Sequence, residues 1–577
     1  MGRPLPPRIV KAGPYIATTA RTGEVGDEGA WRMNNLIVRG RTPGRMYWQA
    51  YSGEGNLGES LQMIALTGTV AITEGSDTIT GTGTLFNTEC HLGQRISAIP
   101  SDNSANYFFV VRRIIDDTTL IAWAVQTSTI SGLTGWRMPR LFAVNDLRGS
   151  CLTGNVLKLD RGSYLGVGSG TFRLNGQPLN ASLELDRQPA IALYDPVANT
   201  YTSFTLGMDT SAPPGLAAVG GGTKGMQGGN YSMVITPARK ETAGYNNPSE
   251  RADVTVATND MVATTFPAMD TANGQDAWIV WVTTFADTLG ADLNYLNGPW
   301  HRLRMVDDTE VSSAGGVVNL EWLDAEVEFN ELVTFNNDPP TDAEFVELMN
   351  SIPIWISCQG QGFATHPVAT SPGPFIVPAK PNNIEAAPLE LAFSSSPPET
   401  ILGAISGEGR IYLPTINKLQ IAQATPSDVV PIIIRPFWHD GFANPDQLVF
   451  VNGYLYGFPA AGPTRSIGDG DEIYAQRDWA EDVAEIVLGD RTTQNPGWNP
   501  GSVLVGYDPF DDVVLFIHSA DHLNAAGFWT TRILGFGISQ NFWVFDRLMT
   551  DDTKDRIVCG VATIGDRCEF LVGGRVA

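Results

Sequence analysis

Short runs of alternating apolar and polar residues, separated by turn residues, recur along the chain and predict β-strands. The run Leu448–Val451 is followed by Asn452-Gly453 and then by the run 454–458. Asn-Gly between two such runs is typical of a hairpin whose two-residue turn has positive φ angles. Asn175-Gly176 follows another run in the same way. The pattern therefore predicts a chain built mainly from antiparallel hairpins.

Two segments that lie far apart in the chain resemble each other. Residues 190–196 end in Tyr-Asp-Pro, residues 503–509 end in the same three residues, and a second strand-like run follows each. A strand, an Asp-Pro turn and a second strand are a common arrangement in a propeller blade. Two unrelated hairpins that use the same turn residues are the alternative. A strict repeat period is absent, so any propeller must be irregular.

Two stretches have the pattern of inserted β modules. Residues 64–137 alternate Thr with Val or Ile over several short runs, and residues 228–310 space their runs as a fibronectin-like sandwich does. The predicted fold class is mainly β: an irregular β-propeller-like core with inserted small β-barrel or sandwich (fibronectin-like) modules and few short helices. The predicted domains are 1–63 with 138–227 (N-terminal part of the β core), 64–137 (small β module), 228–310 (fibronectin-like sandwich), 311–400 (acidic connecting region with a short helix) and 401–577 (C-terminal propeller-like blades).

Helical patterns are few. Residues 475–488 place apolar side chains at helical spacing and precede Gly489, a residue that commonly ends helices. Thr341 precedes Glu344 by three residues, which is the spacing of a capping box, and the pattern predicts a helix over 341–349.

Composition narrows the class of protein. Gly (61) and Pro (37) make up about one residue in six of the 577, and only 17% of residues are charged. This excludes a coiled coil, collagen and a helical bundle. The net charge of −25 argues against a protein that grips DNA through phosphate contacts. It does not argue against a protein that DNA slides past, because like charges prevent adhesion.

The sequence has no apolar run of about 20 residues, and its first residues lack the apolar core of a signal peptide. Its five cysteines are scattered, which favours buried thiols in a reducing compartment over a disulfide framework. Only Cys559 and Cys568 are close in the sequence, where they flank a predicted hairpin turn, and a cross-strand disulfide between them is the alternative.

No motif reaches the specificity of a catalytic or metal site. His518 and His522 are four residues apart, but a strand-like run precedes them, and a strand does not bring such residues together. The acidic glycine-rich turn 468–472 lacks the spacing of a calcium loop. Gly220, Gly222 and Gly225 match a dinucleotide fingerprint without the strand and helix that it requires, so a linker is favoured. We therefore expect no catalytic residue, no bound metal and no cofactor.

Several segments together resemble structural proteins of tailed-phage virions. They include 35–39 with Gly44-Arg45, 413–420, 431–438, 448–457 and 499–519. The closest resemblance is to the tail nozzle (tail tubular B-type) proteins of short-tailed bacteriophages. Asn247-Pro248-Ser249 in the sandwich and the 81–86 segment of the small module are similar to β modules inserted in such proteins.

This resemblance implies a structural virion protein at the end of the short tail, assembled in the cytoplasm of the host bacterium. Members of the family form a homo-oligomeric ring, usually of six copies, that continues the DNA channel, retains the genome and lets it pass at ejection. The implied partners are the tail adaptor protein, tail fibre or needle proteins, genomic DNA passing without specific binding, and the host surface. A receptor-binding tail fibre or adhesin is the first alternative, and a glycan-active β-propeller enzyme is the second.

Two sets of residues are candidates for these contacts. The acidic stretch after residue 320 contains no basic residue, and five of its carboxylates are predicted to line a channel: Glu321, Asp324, Glu326, Glu328 and Glu331. Apolar residues near predicted loop tips are predicted to form a gate or to contact a neighbouring subunit: Phe442, Phe458 and Pro459.

Overall fold

A computed structural model describes most of the chain between residues 36 and 573. The described residues are 36–39, 42–45, 64–144, 156–158, 164–166, 170–174, 177–178, 189–195, 200–284, 299–358, 373–426, 431–467, 474–476, 483–489 and 497–573, with single or paired gaps at 91, 138–139, 241, 243, 341–342, 382 and 565–566. In these residues the chain is mainly β, with a propeller-like core, a barrel and a sandwich. The predicted fold class is confirmed.

Five four-stranded antiparallel sheets form the blades of the core. In each blade the strands follow one another in chain order, with the first strand innermost. The first blade contains Val156–Lys158, Tyr164–Gly166, Ala190–Asp195 and Thr200–Thr205, and the second contains Phe345–Met349, Ile352–Cys358, Phe375–Pro378 and Phe393–Ser394. The third contains Ile405–Gly407, Arg410–Pro414, Leu419–Ala424 and Ile432–Trp438, and the fourth contains Leu448–Val451, Tyr454–Gly457, Thr464–Ile467 and Tyr474–Gln476. The fifth contains Val503–Asp508, Val513–His518, Thr531–Gly537 and Phe542–Met549.

The blades close into a ring because the first strand of each sheet contacts the first strand of the next. The ring is completed by the hairpin of Ile557–Ile564 and Arg567–Gly573, which lies against the fifth blade. Arg140–Val144 contacts both this hairpin and the first blade, and pairs in parallel with Gly170–Leu174, which pairs in turn with Gln177–Pro178. A strand that follows the barrel and the hairpin near the end of the described chain therefore together close the ring.

Apolar clusters fill the spaces between neighbouring blades. Val346 and Trp355 of the second blade pack with Ile191 of the first, whereas Phe345 and Met349 pack with the third. Successive residues of one inner strand thus point into two different interfaces, as strand geometry requires. A hairpin of Leu36–Arg39 and Thr42–Arg45 lies against the outer strand of the fifth blade.

The first inserted module is a closed barrel that runs from Ile64 to Arg137. Its strands are Thr69–Ile72, Thr78–Thr82, Arg95–Ile99, Tyr107–Asp116, Thr119–Ala122 and Ile130–Arg137, with Ile64–Ala65 paired to the last. The barrel closes because Ile130–Arg137 pairs with Thr69–Ile72 on one side and with Arg95–Ile99 on the other. Its interior contains apolar side chains such as Ile79, Ile96 and Leu133.

The second inserted module is a two-sheet sandwich. One sheet contains Gly215–Gly220, Asp260–Thr265 and Val317–Leu320, and the other contains Ala252–Val256, Gly229–Ala238, Ala277–Val282 and His301–Asp307. The sandwich therefore extends beyond both ends of the predicted range 228–310. The second blade, which begins at Phe345, lies within the range 311–400 that was predicted to be a connecting region.

Helices in the described residues are short: Phe86–Glu89, Asp308–Ser313, Asp324–Val327 and Ala484–Val487, with 3₁₀ turns at Thr271–Asn273, Leu389–Leu391 and Pro500–Ser502. The helix predicted over 341–349 is wrong, because Phe345–Met349 is a strand whose Phe345, Val346 and Met349 are all buried. Burial between two blades outweighs the local capping pattern. Only Ala484–Val487 is helical within the predicted 475–488, where Tyr474–Gln476 is a strand and 477–482 lie outside the described residues.

The predicted hairpin around Asn452-Gly453 is confirmed, with φ angles of 51° and 83° at the two turn residues. Both Tyr-Asp-Pro segments also begin hairpins: Asp195 lies opposite Thr200, and Asp508 lies opposite Val513. However, the first pair are the outer strands of their blade and the second pair are the inner strands of theirs. The two segments are therefore similar hairpins at different blade positions.

Candidate functional site

The predicted acidic residues lie on the edge of the sandwich, directly after its last strand. We call residues 321–335 the edge segment. Trp322 and Val327 are buried in the sandwich core, where the ring of Trp322 lies 5.4 Å from that of Tyr231 in an edge-on arrangement. Between these two anchors Glu326 is exposed, whereas Asp324 is half-buried. The segment is thus attached to the sandwich, and lining of a channel by its carboxylates stays a prediction.

Two of the predicted carboxylates bind the glycine-rich connection that precedes the second strand of the sandwich. Glu321 accepts hydrogen bonds from the backbone N–H groups of Lys224 at 3.0 Å and Thr223 at 2.6 Å, and from Oγ1 of Thr223 at 2.7 Å. The hydrogen bond from the N–H of Lys224 is the main reason that the pKa of Glu321 is below its ordinary value. Nζ of Lys224 lies 2.9 Å from Glu326 and lowers the pKa of that carboxyl.

The glycines of this connection have a conformational role: Gly225 has a φ of 77°, and a Cβ atom on Gly222 would lie 2.9 Å from the backbone oxygen of Asn259. Gly222 donates to the backbone oxygen of Asn259 at 2.8 Å, and strand Gly229–Ala238 follows where a dinucleotide fold requires a helix. The connection is therefore a link between two strands that Glu321 fastens to the edge segment.

The end of the edge segment adds backbone hydrogen bonds to the outer strand of the sandwich. The N–H of Arg302 donates to the backbone oxygen of Glu331 at 2.7 Å, and the N–H of Val333 donates to that of Trp300 at 2.9 Å. The carboxylate of Glu331 also lies 3.0 Å from Nη1 of Arg302. Glu328 is exposed, and Asp324 is the first residue of helix Asp324–Val327.

Beside these carboxylates the edge segment also exposes apolar side chains that the sequence analysis missed. The exposed fractions of Phe329, Leu332 and Phe335 are 88%, 48% and 58%. The ring of Phe335 lies 6.1 Å from that of Trp300. The available signal was an acidic run interrupted by large apolar residues without helical or strand spacing. Large apolar side chains that are exposed close together usually mark an interaction surface.

The predicted gate residues are buried, which corrects their assignment to exposed loop tips. Phe442 is 0% exposed and its ring lies 6.3 Å from that of Trp438, in the cluster between the third and fourth blades. Phe458 is 1% exposed and its ring lies 5.9 Å from that of Trp498. Pro459 is also buried. Phe442 lies in the connection between the third and fourth blades, and Phe458 and Pro459 follow the second strand of the fourth blade, where a neighbouring blade covers them.

Buried polar contacts fix the barrel to the core. Nη1 of Arg95 in the barrel lies 3.0 Å from Oδ2 of Asp446, which precedes the fourth blade. Asn106 donates from Nδ2 to Asp555 at 2.9 Å and accepts a hydrogen bond on its backbone oxygen from Nε1 of Trp529 at 2.6 Å. These contacts join residues that are several hundred positions apart in the sequence.

The sandwich is fixed to the second blade in a similar way. Arg239, 0% exposed at its side chain, pairs with the buried carboxylate of Glu385. Thr242 donates from Oγ1 to the same carboxylate at 2.6 Å. Asn247, from the Asn-Pro-Ser segment that contributed to the family resemblance, donates to Asp338 at 2.7 Å. That segment therefore has a structural role at this junction.

A carboxylate and two imidazoles form a cluster in the fifth blade. His518 accepts a hydrogen bond on Nε2 from the N–H of Asn499 at 3.1 Å, so its Nδ1 carries the proton that it shares with Asp521 at 2.7 Å. His522 bonds the other oxygen of Asp521 through Nδ1 at 2.8 Å. Burial alone would raise the pKa of Asp521, but the hydrogen bonds from both histidines outweigh it and lower that pKa.

These hydrogen bonds hold the turn that follows strand Val513–His518. In the described part of the chain, no group of three or more His, Cys, Asp or Glu residues is arranged to hold a metal ion. The acidic turn 468–472 lies outside the described residues. Cys568 lies opposite Thr563 rather than Cys559, and Cys90, Cys358 and Cys568 are buried thiols that form no disulfide in the described residues.

No family model matches the sequence, and no curated protein matches it. Among solved structures, the extracellular domain of a one-component system protein from B. thetaiotaomicron is 10% identical, with 89% of this chain and 76% of that chain covered and a TM-score of 0.15. The endosialidase of phage phi92 is 10% identical, with 85% and 70% covered and a TM-score of 0.11. Scores this low carry no argument about function.

Among the described residues, no helix has the length and apolar character needed to cross a membrane.

Proposed function

We propose that this protein is a structural component of a tailed-phage virion. In this proposal it forms a ring at the end of the short tail that continues the DNA channel, retains the genome and lets it pass at ejection. The supporting observation is the way in which the two inserted modules are fixed. Buried ion pairs, Arg95 with Asp446 and Arg239 with Glu385, attach the barrel and the sandwich to a closed ring of blades.

Such attachment suits a mechanical role. A buried ion pair contributes little net stability but strongly penalises separation of its partners. Modules held in this way keep a fixed orientation, which a subunit needs if it must contact neighbouring subunits, an adaptor and fibres at the same time. The net charge of −25 supports the same proposal, because an acidic ring lets DNA pass without adhering.

The test is the assembly state of the purified protein, measured by mass photometry and negative-stain imaging, alone and with detached capsids. We expect a ring of about six copies with an axial channel, or density that caps the capsid vertex. Rod-like trimers would favour the receptor-binding fibre instead. A monomer that does not bind capsids would contradict the proposal, and a glycan-hydrolysis screen would then test the propeller enzyme.

A further inference from the structure

The edge segment combines exposed apolar side chains with carboxylates. Phe329 is the most exposed large apolar side chain among the described residues, at 88%, and Leu332 and Phe335 follow it within six positions. Glu326 and Glu328 are also exposed immediately before them. Proteins keep such side chains in water only where a partner covers them or where they are isolated. Three within one segment are not isolated.

The backbone that carries these side chains is well held. Trp322 and Val327 anchor it in the sandwich core, and Glu331 and Val333 bond the outer strand of the sandwich. The ring of Phe335 is backed by that of Trp300. The apolar groups are therefore presented in place, and a partner would not have to order them on binding, which favours affinity.

The charges decide which kind of partner fits. Three basic residues contact this segment: Lys224 and Arg302 pair with Glu326 and Glu331, and Lys380 donates from Nζ to the backbone oxygen of Phe335 at 2.6 Å. Glu328 adds a further exposed negative charge beside Phe329. A second copy of the same surface would bring like charges together, which is unfavourable. A partner surface that carries lysine or arginine beside apolar side chains complements both the negative charge and the exposed apolar side chains of the edge segment.

We propose that the edge segment is the docking surface for a basic, apolar segment of a partner protein. The inference rests on the proposed function only in placing that partner in the same virion. It assigns to the sandwich the task of recruiting a neighbouring component, and it gives the acidic residues a role in partner recognition instead of channel lining.

The experiment uses the full-length protein and a short amphipathic helical peptide of lysine and leucine as the probe. Binding is measured by fluorescence anisotropy, and hydrogen exchange locates the protected residues. We expect protection over 321–335 and binding that weakens with added salt. The double variant Glu328→Lys/Phe329→Ser should bind at least about tenfold more weakly, since it removes one exposed apolar anchor and reverses one charge.

The matched control is Glu250→Lys/Leu488→Ser, which changes one exposed carboxylate on the sandwich and one apolar residue that is 61% exposed on the core. The control should bind the peptide as the wild type does. Equal weakening in both variants, or protection elsewhere, would show non-specific attraction to an acidic protein and overturn the inference.

Assembly measurements on the same variants separate this inference from the proposed function. If the wild type neither forms rings nor binds capsids but still binds the peptide at 321–335, the proposed function fails and the docking surface stands. If rings form and the double variant slows DNA ejection with unchanged peptide binding, the edge segment lines the channel and the docking surface is wrong.

Discussion

Arg95 of the barrel and Asp446 of the core form an ion pair of 3.0 Å with side-chain exposures of 4% and 2%. Asp446 is held in turn, because its N–H donates to Oδ1 of Asn444 and its backbone oxygen accepts from the N–H of Val505. The pair therefore links the barrel to the inner strand of the fifth blade. Substitutions in this ion pair therefore test how the barrel is attached to the core.

Replacing Arg95 with Met should lower the free energy of unfolding by about 3–5 kcal/mol, because the carboxylate of Asp446 would stay buried without its partner. Denaturant unfolding measures this loss. Adding Asp446→Leu to Arg95→Met should recover part of it, since the uncompensated charge is then gone. The control is Lys224→Met, which breaks an exposed pair and should cost less than about 1 kcal/mol. Equal losses in the two single variants would contradict a buried pair at the junction.

Glu347 predicts a dependence of stability on pH. It lies on the inner strand of the second blade between Phe345 and Met349, which pack against the third blade. Burial raises its pKa from 4.5 to about 7, although hydrogen bonds from Ser406 oppose the shift. Below pH 4.5 the carboxyl is protonated in both the folded and the unfolded states. As the pH rises from 4.5 to 7 the unfolded state ionises first, so stability falls across this window.

Glu347→Gln should remove that loss. At pH 8 the variant should be more stable than the wild type by up to about 3 kcal/mol, and near pH 4 the difference should disappear. Thermal or denaturant unfolding at several pH values measures the difference in the free energy of unfolding between the two proteins. The other carboxylates are the same in both proteins, so their contributions cancel in this difference. A constant difference from pH 4 to pH 8 would show that Glu347 does not titrate in this range.

Local signals in the sequence were enough for some parts of this fold and not for others. Asn452-Gly453 predicts its hairpin because the turn geometry depends on those two residues alone. The strand at Phe345–Met349 depends on two neighbouring blades that bury it, which no local pattern contains. Closure of the ring is even harder to predict from local sequence, since it brings Arg140–Val144 into contact with Ile557–Ile564, which lie most of the chain apart.

The sequence likewise predicted some features of the candidate site and not others. The carboxylates of the edge segment could be found from the sequence because an acidic run is visible in it. Their partners could not, since Glu321 bonds to Thr223 and Lys224 through the packing of two sheets. Phe442 and Phe458 were misplaced for the same reason. Phe442 packs in one cluster with Leu448 and Leu455 of the fourth blade, and Phe458 packs against Trp498, which precedes the fifth blade, so both are covered only when the blades assemble.

Gly441 tests the packing beside one of these phenylalanines. A Cβ atom at this position would lie 1.5 Å from the backbone oxygen of Ile416, and the next residue is fixed because the N–H of Phe442 donates to the oxygen of Thr415 at 2.9 Å. Gly441→Ala should therefore cost about 3 kcal/mol or more, measured by denaturant unfolding. Gly527→Ala is the control. It has a φ of 81° and open space around the position, so it should cost only about 1 kcal/mol of backbone strain.

Three phenylalanine-to-alanine variants separate core from surface. Phe442 and Phe458 are 0% and 1% exposed, so each truncation should lower the free energy of unfolding by about 3–5 kcal/mol through lost burial and a new cavity. Phe329 is 88% exposed, and its truncation should change stability by no more than about 0.5 kcal/mol. The same variants should have the opposite order in the peptide assay, where only Phe329→Ala weakens binding. A stable Phe458→Ala protein with altered partner binding would restore that residue as a contact and contradict its place between the fourth and fifth blades.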